Sequence, residues 1–187
     1  GDYASVSDEH FDARKAPARV KLTQPQAVID VMRPSKEIAF YCDENAFFFA
    51  YDPDTEYEVG LKYDLIDGKF DFEDCAQLFA AALADREVVK VVFDVKKFKQ
   101  RLYGLGLELN NFFDVRLAQY IADMSVPHEK ADSILEHYGA GAAYASGLLY
   151  VAALQRKELE RSQMHRLFYD IEQPLVDVLL DMERQGF

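Results

Sequence analysis

The sequence predicts an α/β domain, a mixed sheet packed by helices. Three observations carry this reading. Residues 88–93 (VVKVVF) are a mostly β-branched apolar run too short for a helix, which reads as a buried strand ending at Asp94. Phe98, Leu102 and Leu105 then recur at helical spacing beside Lys96, Lys97, Lys99 and Arg101. Residues 37–43 (EIAFYCD) and 46–51 (AFFFAY) are two further strands around the pair Glu44-Asn45, which is hairpin spacing without the favoured glycine.

The other elements fall into place around these. Residues 1–20 lack periodicity and read as a tail or linker. Thr23-Gln24-Pro25-Gln26 has the spacing of a capping box for a short helix with Val28, Ile29, Val31 and Met32 on its apolar side, ended by Pro34. Residues 57–61 add a third strand. Asp71 is placed to cap a helix that turns Phe72, Cys75, Phe79, Ala82 and Leu83 inward. Gly104 and Gly106 stop the helix after Asp94, and residues 107–109 read as the next strand. Asp114 opens a helix with Leu117, Tyr120, Ile121 and Met124 on one face. A helix with Ile134, Leu135 and Tyr138 inside ends at Gly139, and a longer one runs over 142–160. The last helix carries Leu167, Ile171, Leu175, Val178, Leu179 and Met182, and Pro174 kinks or restarts it.

Composition narrows the function. With 187 residues, half of them hydrophobic, the chain can bury a sizeable core as one domain. The formal net charge is −12, which opposes strong autonomous DNA binding, because phosphate contacts supply most of such affinity. The charge is uneven. Residues 43–74 are acidic with only Lys62 and Lys69 as bases, whereas 86–101 sets Arg86, Lys90, Lys96, Lys97, Lys99 and Arg101 against Glu87 and Asp94. That basic run reads first as a solvated helix face. No apolar run approaches the roughly 20 residues of a membrane span, and the polar N-terminus carries no signal-peptide pattern. The missing starting Met reads as an excised fragment. Cys42 and Cys75 lack metal-ligand spacing and read as free thiols of a reducing cytosol. His10, His128, His137 and His165 are scattered and form no visible ligand set.

Strand tips in open α/β sheets are where ligands bind, so Asp94 is the first candidate residue. Three stretches together resemble the 3′–5′ exonuclease domain of bacterial DNA polymerase I, the family A replication and repair polymerase. VVFDVKKFKQRLYGLGLELNNFFDVRLAQYIAD resembles its second exonuclease motif and the following helix, and Tyr144-Ala145 begins a third motif of the form Tyr-Ala-x-x-Asp. IEQPLVDVLLDMERQG resembles the segment that joins the exonuclease to the polymerase domain. The resemblance covers roughly 37–187 and implies a ribonuclease H-like, DnaQ-like exonuclease fold over 21–165, with 166–187 as the helix joining to a polymerase domain outside this chain.

In that family two divalent metals hydrolyse the phosphodiester, held by an Asp and a Glu two residues apart on the first strand, an Asp in the second motif and an Asp four residues after the Tyr of the third. Here the resemblance puts Tyr41 at the first position, Asp43 at the second, Asp94 at the third, and Leu148 four residues after Tyr144. Lys90 and Val92 stand where an Asn and a Lys precede the second-motif Asp. Two of four carboxylates are therefore missing. The implied function is a non-catalytic, vestigial proofreading domain that scaffolds a bacterial, cytoplasmic polymerase, with no metal or cofactor of its own. Its parent would be a nucleotidyltransferase of DNA replication and repair, extending DNA with Mg²⁺ and binding DNA on behalf of the fragment. Asp94 equally fits a helix cap, Asp43 a turn and Tyr144 a core aromatic. Two rivals stay open: an active two-metal exonuclease with a shifted register, and a partner or single-strand binding module that presents Lys90, Lys96, Lys97, Lys99 and Arg101 to DNA.

Overall fold

Alternating side chains on the central strands build two cores, one on each face of a single sheet. The computed structural model describes residues 11–66 and 68–186. Strands β1 (Ala18–Leu22), β2 (Glu37–Cys42), β3 (Ala46–Asp52), β4 (Thr55–Gly60), β7 (Val89–Val92) and β8 (Phe112–Asp114) form a six-stranded sheet in the order β1-β4-β3-β2-β7-β8, and β5 (Lys62–Tyr63) pairs with β6 (Lys69–Phe70) beside it. The β2–β3 and β3–β4 pairs are antiparallel, and the β1–β4, β2–β7 and β7–β8 pairs are parallel. The expected mixed α/β sheet is therefore present.

On β3, Phe47 and Phe49 point to one face while Ala46, Phe48 and Ala50 point to the other, as the two-residue period of a strand requires. The first face packs on α1 (Pro25–Val31), α2 (Phe72–Leu78), α3 (Ala80–Ala84) and α4 (Val95–Tyr103). The second packs on α5 (Val115–Ala122), α6 (Ala131–His137) and the long α7 (Ala145–Arg161). Val91 and Val92 are buried on opposite faces of β7, between β2 and β8, which is the doubly covered strand that the run of valines predicts.

Caps account for several boundaries. Asp71 and Asp74 form a reciprocal capping box at α2. The Oδ1 of Asp43 accepts the N–H groups of Asn45 and Ala46, both at 2.8 Å, and so closes the β2–β3 turn without glycine. Gly106 (φ 69) and Gly139 (φ 67) adopt left-handed backbone just past α4 and α6, and a side chain at Gly139 would strike the backbone of Asp12 at 2.5 Å.

The structure departs from the sequence-based expectations at four places, and at the C-terminus it follows one of the two expected outcomes. Residues 18–22 are not tail but strand, paired with β4; four of the five are exposed, so this edge strand has no hydrophobic alternation to read. The part of the expected tail in 1–10, His10 included, lies outside the described residues. Thr23 caps nothing: α1 starts at Pro25, whose ring suits the first turn, after Gln24 without a side-chain cap bond, and Ile29 is exposed. The strand expected at 107–109 is instead a loop whose Leu109 reaches the core; the ladder with β7 forms at Phe112–Asp114, where Lys90 N–H donates to Asn111. On α5 the buried side is Val115, Ala118 and Gln119, leaving Tyr120 and Met124 exposed. At the C-terminus, Pro174 lies in the first turn of α8 (Gln173–Arg184), directly after a π-helical turn (Leu167–Glu172), so the chain restarts its helix there.

Candidate functional site

The tips of β2 and β7 and the N-termini of α4 and α6 enclose an open cleft of about 350 Å³, lined by Tyr41, Cys42, Phe93, Asp94, Lys97, Arg101, Lys130 and Asp132 among others. Parallel strands leave their C-terminal ends free at this edge, so the topology puts Asp94 where the sequence pattern places a ligand site.

Asp94 is held by more of the structure than a free acid at a strand tip would be. Its backbone is left-handed (φ 61, ψ 73), a conformation Asp tolerates better than most residues. The Asp114 carboxylate sustains it, accepting the Asp94 N–H at 3.0 Å on one oxygen and the Val95 N–H at 3.2 Å on the other. The side chain of Asp94 caps α4 by accepting the Lys97 N–H at 3.4 Å. Its other oxygen lies 3.0 Å from Nη1 of Arg116 and 3.9 Å from Nζ of Lys97. Burial pushes the Asp114 carboxyl up to about 6, with the Asp94 charge adding to the rise, although the Val95 and Leu117 N–H groups oppose it.

The remaining relict positions do not converge on Asp94 as a ligand set. Tyr41 stacks on Tyr144, ring centres 4.6 Å apart and planes within 10°. Burial, then the Asp132 carboxylate, raises the Tyr41 phenol to about 12, and the Tyr144 phenol is raised by burial and by Asp132. Asp43 is engaged in its own turn. Leu148 sits fully buried in α7, one turn after Tyr144, within the core on the α7 face of the sheet. Among the described residues no three His, Cys, Asp or Glu side chains stand together as a metal-binding group. The two positions at which the resemblance expects further carboxylates thus hold an apolar core residue, Leu148, and half of an aromatic stack, Tyr41.

The basic run divides by burial. Lys97 and Arg101 line the cleft, Arg101 with its guanidinium 3.7 Å from the Phe72 ring centre. The expectation that Lys90 and Lys99 face DNA does not fit their positions. Lys90 is fully buried in β7 and donates to the Asp85 carbonyl at 2.5 Å; burial lowers its ammonium to about 8. Lys99 is buried against α8 in an ion pair with Asp177, and Lys96 pairs with Glu183 at 2.6 Å. The spacing that turns Phe98 and Leu102 inward also turns Lys99 toward α8, a neighbour absent from any local pattern.

Sequence reasoning missed Glu129 and Asp132 as cleft residues and Arg116 as the partner of Asp94. No local signal marks them, since each meets the site through contacts with residues far off in sequence. Asp114 was legible as a helix opener, but not as the acceptor that fixes Asp94.

The comparisons with known proteins agree with this architecture. The family model described as the DNA polymerase I ribonuclease H-like domain matches residues 69–167. No curated protein matches the chain. Among solved structures, the chain resembles Brucella melitensis NrnC with bound Mg²⁺ (TM-score 0.62, 10% identity, covering 92% of this chain and 95% of that one). It also resembles Escherichia coli RNase D, described as an exoribonuclease involved in structured RNA processing (TM-score 0.58, 14% identity, 90% and 51%). A third is the polymerase domain of Pol1 from M. smegmatis in complex with DNA primer-template and dNTP (TM-score 0.53, 20% identity, 78% of this chain but 27% of that longer one). At these identities the likeness establishes the ribonuclease H-like exonuclease fold.

Proposed function

The chain belongs to the DNA polymerase I ribonuclease H-like domain family, and from that premise we propose that it is a non-catalytic, vestigial 3′–5′ proofreading domain. Its task would be to scaffold the polymerase domain of the same bacterial, cytoplasmic polypeptide. The observation that carries the reading is the donor set of the cleft. A Mg²⁺ ion takes oxygen ligands in near-octahedral geometry, usually from one or two carboxylates, substrate phosphates and waters. Two such ions at the distance used for phosphodiester cleavage need several fixed carboxylates. Tyr41 and Leu148 supply none, Asp43 is held in a turn, and Asp94 is paired with Arg116. These residues do not fit a two-metal centre, so no hydrolytic step is derived for this chain.

The scaffold part of the proposal rests on α8. Leu175, Val178, Leu179 and Met182 remain between 42% and 52% exposed along one stretch of this helix, a broad apolar surface for a helix docked on its own domain. In the sequence, Leu175, Val176, Val178, Leu179, Leu180 and Met182 cover more than one helix face, from which Val176 or Leu180 is expected to be bare. Leu180 is instead buried and Val176 partly buried, because α8 lays that side on α4. The surplus lies on the opposite flank, where a polymerase domain of the parent, with its own Mg²⁺ and DNA, would cover it.

The decisive experiment is incubation of the domain with an end-labelled single-stranded oligonucleotide and Mn²⁺. No shortening is expected. Cleavage that disappears in Asp94→Ala would establish the rival reading of an active exonuclease, the activity named for the RNase D neighbour.

A further inference from the structure

We infer that Arg116 is an internal cation that takes the electrostatic place of a metal ion at Asp94 and keeps divalent ions off it. This deepens the non-catalytic reading and rests on it. A largely buried carboxylate is costly unless a cation or hydrogen-bond donors compensate its charge. The Asp94 side chain is 11% exposed, so solvent does not perform that task.

The guanidinium of Arg116 does. Its Nη1 donates to Asp94 Oδ2, its Nη2 to Glu129 Oε2 and its Nε to the His128 carbonyl, each at 3.0 Å. Three donors aimed at three separate partners fix the plane of the group, which a surface arginine ordinarily leaves free. Two acids beside Asp94 are engaged as well: Asp114 accepts backbone N–H groups, and Glu129 completes the arginine clamp. A divalent ion approaching Asp94 therefore meets a fixed positive charge and must break the Arg116 pair before it gains its first carboxylate oxygen. The arginine also makes the fold independent of metal, since the charge partner of Asp94 is part of the chain.

Titration with Mn²⁺, followed by the electron paramagnetic resonance signal of the free ion, tests this on the wild-type chain, Arg116→Gln, Arg116→Lys and Arg116→Gln/Asp94→Asn. Arg116→Gln is expected to bind Mn²⁺ at least about tenfold tighter than wild type, since a unit charge a few ångströms from a divalent ion repels it strongly even through surface-like screening. Arg116→Lys should gain little, and the double variant should lose the gain. If circular dichroism shows Arg116→Gln unfolded, Arg116→Met keeps the aliphatic stem and should show the same Asp94-dependent gain. Equal Mn²⁺ binding by wild type and the neutral variants, tight or absent, overturns the role of Arg116. Asp94-dependent cleavage of an oligonucleotide by the wild type overturns the non-catalytic reading instead, so the two failures are told apart.

Discussion

Removing Arg19 should cost the domain more than its edge position suggests. Glu56 lies on β4 with no exposed surface, and one of its oxygens accepts both Nε and Nη2 of Arg19, at 3.1 and 2.9 Å. The other oxygen accepts the N–H of Ser146 at 3.0 Å and its hydroxyl at 3.3 Å. Arg19 further donates to the Ala142 carbonyl, so one cluster ties β1, β4 and the start of α7 together. Arg19→Met leaves a buried carboxylate without its hydrogen-bonded cation, with only the more distant Arg14 charge nearby, and the typical cost of breaking such a pair is about 3–5 kcal/mol. The Arg19 side chain is 34% exposed, so water would replace part of the lost pairing and the lower end, about 3 kcal/mol, applies. In a chain of this size that is a fall of roughly 6–12 °C in melting temperature. Thermal unfolding followed by circular dichroism measures it. Arg19→Met/Glu56→Gln should recover a good part of the loss, because the amide retains an acceptor for Ser146 without a charge. A single-variant fall below 3 °C, or a double variant no better than the single, would refute the claim that the Glu56 charge depends on Arg19.

Three further outcomes follow from the same structure. Val92→Asp puts an unpaired charge at a site 1% exposed on a central strand and should cost several kcal/mol, enough to unfold a marginal domain; an unchanged melting temperature would contradict the strand's burial. Asp114 has a folded-state carboxyl raised above its unfolded value, so its contribution is present below pH ~4 and is lost as pH rises through about 6. The melting temperature of wild type minus that of Asp114→Asn should therefore decline between those values and level off above; a gap that widens with pH would show that the sign is wrong. On α8, Val178→Lys/Met182→Lys should leave the melting temperature within about 2 °C, as for other surface changes, and lower the binding of an apolar dye, while Leu180→Ala should cost about 2–5 kcal/mol. A large loss in the double-lysine variant would mean that these side chains pack within the domain.

What the sequence made legible is what short-range chemistry dictates. The valine run, the Asp71 and Asp94 caps and the Asp43 turn each depend on residues within a few positions, and each stands as read. The failures share a different cause. Strand β1 exists because β4 has a free edge and a buried acid, 37 positions away from the arginine that meets it. Lys90 and Lys99 look like solvated bases until the strand and α8 around them are known. Arg116 pairs with Asp94 across 22 positions, and nothing beside it in the chain announces the partner.

On the proposed non-catalytic reading, the presence of Asp94 beside Tyr41 and Leu148 has a physical explanation that needs no chemistry of cleavage. Asp94 begins α4, and α4 holds α8. From its first turns Lys96 reaches Glu183, Lys99 reaches Asp177, and Gln100 reaches Glu183 at 3.2 Å. The same junction is fixed from below, where the Gln173 side chain accepts the Asp114 N–H at 3.0 Å while the Asp114 carboxylate fixes the backbone of Asp94. The acid at the strand tip, the buried acid beneath it and the first residue of α8 therefore form one connected set. Losing the Tyr41 or Leu148 position as an acid removes metal oxygens and leaves this set intact, because those side chains sit in an aromatic stack and in the α7 core. Losing Asp94 would strip the cap from α4 and leave Arg116 with only Glu129 and the His128 carbonyl, disturbing the helix that anchors α8. A domain kept for its shape rather than for hydrolysis would shed its acids in this order, first the ones that only bind metal and last the one on which the packing of α4 and α8 depends.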